Sequence, residues 1–148
     1  MKTLAENKKG LFNYKILESW EAGLVLLGAE VKSCRKNNLN LTGSYVSLEN
    51  SEFFLRNAYI APYQEKNQPG YDPYRSRKLL LTQKEINELI GKSKQKGLTI
   101  IAIKVYTKGG FIKIQIGLAQ GKKKHDKREL IKKRDIDRQI SRILKEQG

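Results

Sequence analysis

Apolar and polar positions alternate most regularly between residues 98 and 118, where Ile101, Ile103 and Val105 mark one run and Ile112, Ile114, Ile116 and Leu118 another. Successive side chains on a strand point to opposite faces, so this period of two predicts a hairpin. Leu98 to Tyr106 folds back on Phe111 to Leu118 through Lys108-Gly109-Gly110. A second hairpin is predicted from the β-rich runs Ser44 to Ser47 and Glu52 to Ile60, which flank Leu48-Glu49-Asn50-Ser51. Ala61 and Pro62 end it. Asn13 to Leu27 is β-compatible, as two strands or one bent strand, with a bend or bulge placed at Gly23.

The period lengthens in two places. Gly28 to Arg35 fits a short helix with Val31 and Cys34 facing inward and Lys32 and Arg35 outward. Thr82 followed by Glu85 is a capping-box pair opening a helix over Gln83 to Lys96, with Ile86, Leu89 and Ile90 on one face and Gly97 closing it. Between these patterns, residues 62–74 hold all three prolines and Gly70, and are expected to be a loop. Strands outnumber helices and no parallel β-α-β rhythm occurs, so a mainly β fold is predicted, a small antiparallel barrel with helices around it.

Charge adds a second region. The 148 residues carry 30 Lys and Arg against 15 Asp and Glu, a net +15. That self-repulsion points to an anionic partner, nucleic acid first. Residues 1–120 contribute 19 basic and 10 acidic side chains, and residues 121–148 contribute 11 and 5. The division predicts a barrel over 1–120 and a basic arm over 121–148. Within the arm, Ile136, Ile140, Ile143 and Leu144 make a helical stripe, so it is expected to be disordered when free and helical when covered.

Several chemistries are disfavoured. Cys34 and His125 are the single cysteine and histidine, too few for a disulfide or a Cys/His zinc cluster. A Ser/His/Asp triad would have to use His125, which lies in a run of cations. Gly91-Lys92-Ser93 lacks the earlier glycine of a phosphate loop, since Ile86 stands there. No cofactor or metal is expected. The N-terminal Met1 to Phe12 lacks an apolar leader core and no run is long enough to span a membrane, so a soluble, cytoplasmic protein is expected.

The candidate contacts are basic. Arg75, Arg77 and Lys78 follow the proline-rich loop, and Tyr63, Tyr71 and Tyr74 interleave with them, which suits either phosphate contact with base stacking or a solvated rim. Lys32 and Arg35 on the short helix, and Lys122, Lys123 and Lys124 opening the arm, are further candidates for phosphate.

Three motifs together are more specific: Glu21 to Ser33 (EAGLVLLGAEVKS), Arg75 to Ile86 (RSRKLLLTQKEI) and Gly117 to Arg128 (GLAQGKKKHDKR). In this order they resemble the SmpB family, the small SsrA-binding proteins. The resemblance implies an OB-like antiparallel barrel with peripheral helices. It also implies a non-enzymatic, monomeric factor that binds the tRNA-like domain of tmRNA and delivers it to stalled ribosomes in trans-translation. By position it implies RNA-binding roles for Glu21, Leu80 and Thr82. It further implies roles at the small-subunit decoding centre and mRNA channel for Phe12, His125, Asp126, Lys127 and Arg128. Glu21 needs a physical reason beside phosphate: its carboxylate either accepts from a base amino group or ribose hydroxyl, orients a neighbouring cation, or is an ordinary ion pair. Two rivals stand beside this reading, a generic RNA-binding or ribosome-assembly protein and a nuclease holding a metal on Glu21, Glu30 and Asp72.

Overall fold

The computed structural model describes residues 1–64 and 68–122. The expectations placed on Lys123, Lys124, His125, Asp126, Lys127, Arg128 and the apolar stripe of the arm lie outside the described residues.

The 98–118 hairpin is the centre of the fold. β8 (Leu98–Lys108) and β9 (Phe111–Gly121) pair through a two-residue turn at Gly109 and Gly110, with φ of 57° and 81°. Two consecutive left-handed residues make the turn whose twist matches a hairpin, and glycine adopts them without strain. β1 (Lys2–Glu6) adds to β8, and β2 (Tyr14–Leu24) adds to β9. Beyond β2, β7 (Arg77–Leu80) is followed by β5 (Glu52–Arg56) and β4 (Tyr45–Glu49). The result is one seven-stranded antiparallel sheet in the order β1-β8-β9-β2-β7-β5-β4, with a separate pair of β3 (Leu39–Asn40) and β6 (Tyr59–Ile60). Among the described residues no sheet closes, although β4 comes alongside β8 without joining its ladder. Among the described residues the fold is therefore mainly β with three helices: α1 (Lys8–Asn13), α2 (Gly28–Arg35) and α3 (Gln83–Ser93).

Several local expectations change. The irregularity in β2 falls between Ile16 and Glu18, whereas Gly23 stays in register with Lys113 on one side and Leu80 on the other. The sequence placed the bulge at glycine, but what glycine provides there is room: a Cβ on Gly23 would lie 3.2 Å from the Leu80 Cβ. The run Glu52 to Ile60 splits at Asn57, whose φ of 59° breaks β5 from β6. In β8 the register shifts between Ala102 and Lys104, so Ile100, Ala102 and Val105 share the core with Ile114, Ile116 and Leu118. Ile101 and Ile103 are also buried but lie outside that cluster, on a strand against which α1 packs. A strand covered on both faces reads as a continuous apolar run, which hid the change of phase. β1 and α1 were not predicted. α1 starts at Asn7, whose side chain accepts from the Gly10 N–H at 3.0 Å and donates to the Ala102 carbonyl at 2.8 Å.

The largest departure concerns the basic cluster. Strand alternation turns Arg77 inward with Leu79 and leaves Lys78 and Leu80 outward. Arg77 is fully buried, so the cation expected to face RNA is a core residue. It donates to Glu30 Oε2 at 2.6 and 2.8 Å, to the Ala58 carbonyl at 2.7 Å and to the Pro73 carbonyl at 2.9 Å. Arg75 reaches the same carboxylate from the edge, and the Tyr71 hydroxyl donates to it at 3.0 Å. The Leu27 N–H, at the start of α2, completes the shell at 2.9 Å. α2, β7 and the proline-rich loop are thus fastened to one anion, and among the described residues no buried side-chain polar atom lacks a partner.

Burial pushes the Glu30 carboxyl up, but the bonds from Arg75, the Leu27 N–H and Arg77 outweigh it and hold the group below its ordinary value. The stability it contributes is present above the unfolded-state value and is lost as pH falls through the lower folded value. Arg77→Met should therefore cost about 3–5 kcal/mol in urea denaturation at neutral pH, because Glu30 is left buried with one partner fewer. Arg75→Met, at a half-exposed position, should cost less. Glu30→Gln should be destabilised at neutral pH and show a flatter fall in stability from about pH 5 downward than the wild type.

Candidate nucleic-acid interface

Residues directly opposite across a ladder share a face. On the side of the sheet away from the main core, one such row runs Thr3, Tyr106, Lys113, Gly23 and Leu80, across β1, β8, β9, β2 and β7. The adjoining row holds Glu6, Lys104, Gln115 and Glu21. Lys108 lies two residues beyond Tyr106, and Lys78 two residues before Leu80 and opposite Phe54. The face thus combines cations and an exposed leucine with the Glu21 carboxylate at its centre, Glu6 and Glu52 lying toward its edges. Leu80 is 54% exposed, held over the bare Cα of Gly23.

The carboxylate is held from two sides. The Tyr106 hydroxyl donates to Glu21 Oε2 at 2.5 Å, and the Lys108 ammonium lies 3.3 Å from both oxygens. The Tyr106 bond is the largest influence on the Glu21 carboxyl; burial opposes it, and with Lys108 and Lys113 added the group is held below its ordinary value. Tyr106 is itself buried, and burial together with the Glu21 charge pushes its hydroxyl well above the ordinary tyrosine value. At neutral pH the pair is therefore a carboxylate and a protonated hydroxyl. The Lys104 ammonium sits 5.4 Å from the Tyr106 ring centre and Lys113 sits 5.9 Å from that of Phe111, which is 70% exposed.

Of the residues singled out from sequence, Glu21, Lys78 and Leu80 come together on this face. Thr82 is exposed two residues past Leu80, but its hydroxyl is engaged as the cap of α3, accepting from the Glu85 N–H at 3.2 Å and donating to its carboxylate at 2.9 Å. Lys78 pairs with Glu52 at 3.1 Å. Lys32 and Arg35 lie on α2, where Lys32 and Lys36 flank the Tyr63 ring at 5.3 and 4.9 Å and Arg35 donates to the Gly110 carbonyl at 3.1 Å. Tyr71 points inward to Glu30, and Tyr74 packs on Tyr59 with ring centres 5.3 Å apart. Phe12 and Lys122 are at the opposite end of β2. Lys122 donates through its N–H to the Asn13 carbonyl at 2.9 Å and through its ammonium to the Leu11 carbonyl at 3.2 Å, tying the start of the arm to α1.

Glu21, Glu30 and Asp72 do not gather. Glu30 is filled by two guanidinium groups, and Asp72 accepts from the Tyr74 N–H at 2.9 Å in a local turn. Among the described residues no three His, Cys, Asp or Glu side chains are placed to hold one ion, and no helix is long and apolar enough to cross a membrane. Lys104, Tyr106, Lys108, Lys113 and Gln115 were missed from sequence. Their signal was available as the polar half of the alternation whose apolar half predicted the hairpin.

Comparison with known proteins agrees across the whole chain. A family model described as SmpB protein matches residues 4–146. The SsrA-binding protein of Persephonella marina is 52% identical over 145 residues, covering 98% of this chain and 95% of that protein. The SsrA-binding protein of Enterococcus faecalis is 49% identical over 144 residues, covering 97% and 94%. A solved structure described as "tmRNA-SmpB: a journey to the center of the bacterial ribosome" is similar with a TM-score of 0.68 and 43% identity, covering 85% of this chain and 92% of that one.

The close approach at Gly23 can be checked directly. Gly23→Ala should lower stability by about 1 kcal/mol, from crowding against a Cβ that is fixed to the next strand. The Leu80 methyl resonances should shift, while those of Leu89 in the core should not.

Proposed function

The chain belongs to the SmpB family, and on that premise we propose that it binds the tRNA-like domain of tmRNA through the outer face of its sheet and brings that RNA to stalled ribosomes for trans-translation. The observation that carries the assignment of this face is the juxtaposition of Glu21 and Leu80 across Gly23, ringed by Lys78, Lys104, Lys108 and Lys113. These two residues are 59 positions apart in sequence and are two of the three, with Thr82, for which the family resemblance implies RNA binding. The lysines supply sequence-independent attraction to phosphate, and the carboxylate and leucine supply contacts that only a particular RNA shape satisfies. Arg77, and with it most of Arg75, belongs to the scaffold; Lys78 alone of that cluster is left to meet phosphate.

The sheet is an OB-like framework in which β4 meets β8 by packing rather than by hydrogen bonds. The basic arm, residues 121–148, is the segment for the ribosome: His125, Asp126, Lys127 and Arg128 serve the decoding centre and mRNA channel together with Phe12, and Lys122, Lys123 and Lys124 meet phosphate. The protein acts in the cytoplasm as a single copy and performs no chemistry of its own.

Two measurements on one set of proteins test the assignment. The full chain should retain tmRNA in preference to bulk tRNA, with an affinity that falls steeply with salt. Because Gly121 is paired with Tyr14 and Lys122 is bonded to α1, a chain ending at Lys122 should fold and still bind the tRNA-like domain, yet should not support peptide tagging on ribosomes stalled at a message end. Equal retention of bulk tRNA would leave only a generic RNA-binding protein, and normal tagging by the shortened chain would remove the ribosomal role of the arm.

A further inference from the structure

An anion at the centre of a face that receives phosphate is unfavourable unless its position is controlled, and the structure shows what controls it. Tyr106 faces outward, yet it is only 4% exposed. Its strand is fixed by ladders to β1 on one side and β9 on the other, and its ring is covered by Lys104. The hydroxyl reaches across β9 to Glu21 Oε2. Glu21 itself remains accessible, 38% exposed, and its second neighbour Lys108 is 60% exposed. One partner of the carboxylate is therefore rigid and the other is free to leave. Beside it opens a cleft of about 280 Å3 whose lining includes Met1, Ser19, Glu21, Lys104, Tyr106 and Gln115. That is several times the ~30 Å3 of a liquid water, so the cleft has room for a ring or a ribose edge.

We propose that Tyr106 is a positioning residue for RNA recognition: its hydroxyl presets the Glu21 carboxylate to accept a hydrogen bond from an RNA donor, a base N–H or a ribose 2′-hydroxyl, entering the cleft, and Lys108 is the counter-ion that the RNA displaces. This rests on the outer face being the tmRNA-binding face. A carboxylate has about four acceptor sites, of which Tyr106 fills one, so the remaining ones point outward once Lys108 moves away. Lys108 then meets a phosphate, so its ion pair is exchanged rather than lost, and the anion is tolerated because it is neutralised whenever RNA is absent. A carboxylate free to rotate would have to be ordered at the moment of binding, and the tyrosine removes that cost beforehand.

The test uses the full chain and the isolated tRNA-like domain of tmRNA, with binding measured over a range of salt. Tyr106→Phe keeps the ring and removes the hydroxyl alone. It should weaken binding about tenfold, the range of one hydrogen bond to a charged group, with an unchanged salt slope. In a Glu21→Gln background the same change should alter binding less than twofold. Lys108→Met should lower the salt slope by about one. Without RNA, the Glu21 carboxyl followed by 13C NMR should titrate at higher pH in Tyr106→Phe than in the wild type, because its largest stabilising partner is gone. A purely structural tyrosine would give the same loss in both backgrounds and leave the Glu21 titration in place, and either result would overturn the proposal, as would wild-type affinity in Tyr106→Phe. Failure of the wild-type chain to prefer the tRNA-like domain over bulk tRNA is a separate outcome, which removes the underlying assignment before any variant is compared.

Discussion

Glu30 and Arg77 meet in the interior, where two charges are tolerated only if nearly every hydrogen-bonding position around them is filled. The structure meets that condition from five directions: a second arginine, a tyrosine hydroxyl, the backbone at the start of α2, and the carbonyls of Ala58 and Pro73. The contributors come from the start of α2, from Ala58 beside β6, and from the stretch Tyr71 to Arg75 that leads into β7, so the pair holds together parts that share little hydrogen-bonded sheet. It also sets the phase of β7. With Arg77 committed inward, Leu79 must join the core and Lys78 and Leu80 must face out. The outer face depends on that choice, because a one-residue slip would bury Leu80 and expose the arginine.

The same constraint explains why a short strand can present Leu80, a residue proposed to meet RNA. β7 is four residues long, and its Leu80 is registered against Gly23, where the missing side chain lets it lie over the sheet. Gly23 in turn is paired with Lys113, so the carboxylate, the leucine and the lysine ring are positioned by backbone ladders rather than by loops. Sites built on paired strands hold their geometry before a partner arrives. What remains adjustable is at the periphery, among exposed lysines such as Lys108.

How much of this was legible depended on what was local. The 98–118 hairpin, α2 from Gly28 to Arg35 and the Thr82–Glu85 cap were all written in short-range pattern, and the structure has them. Arg75, Arg77 and Lys78 look alike in sequence, and only the partner at position 30, more than forty residues away, separates core from surface. β1 and α1 carry weak periodicity and are held by long-range bonds such as the Asn7 side chain on Ala102, which nothing nearby announces. Glu21 was identified through a family motif, whereas its partners Tyr106 and Lys108 were hidden in the polar phase of a strand read for its apolar phase.

One face of the sheet, fixed by a buried ion pair on its other side, is the face proposed to meet the tRNA-like domain. The most direct measurement is a side-chain-resolved NMR footprint of the full chain bound to that RNA. The largest changes are expected at Glu21, Leu80, Lys108 and Lys113, with the buried Arg77 guanidinium resonances keeping their positions and their slow exchange. Changes centred instead on Lys32, Lys36 and Tyr63, with the Glu21 and Leu80 signals unmoved, would contradict the account.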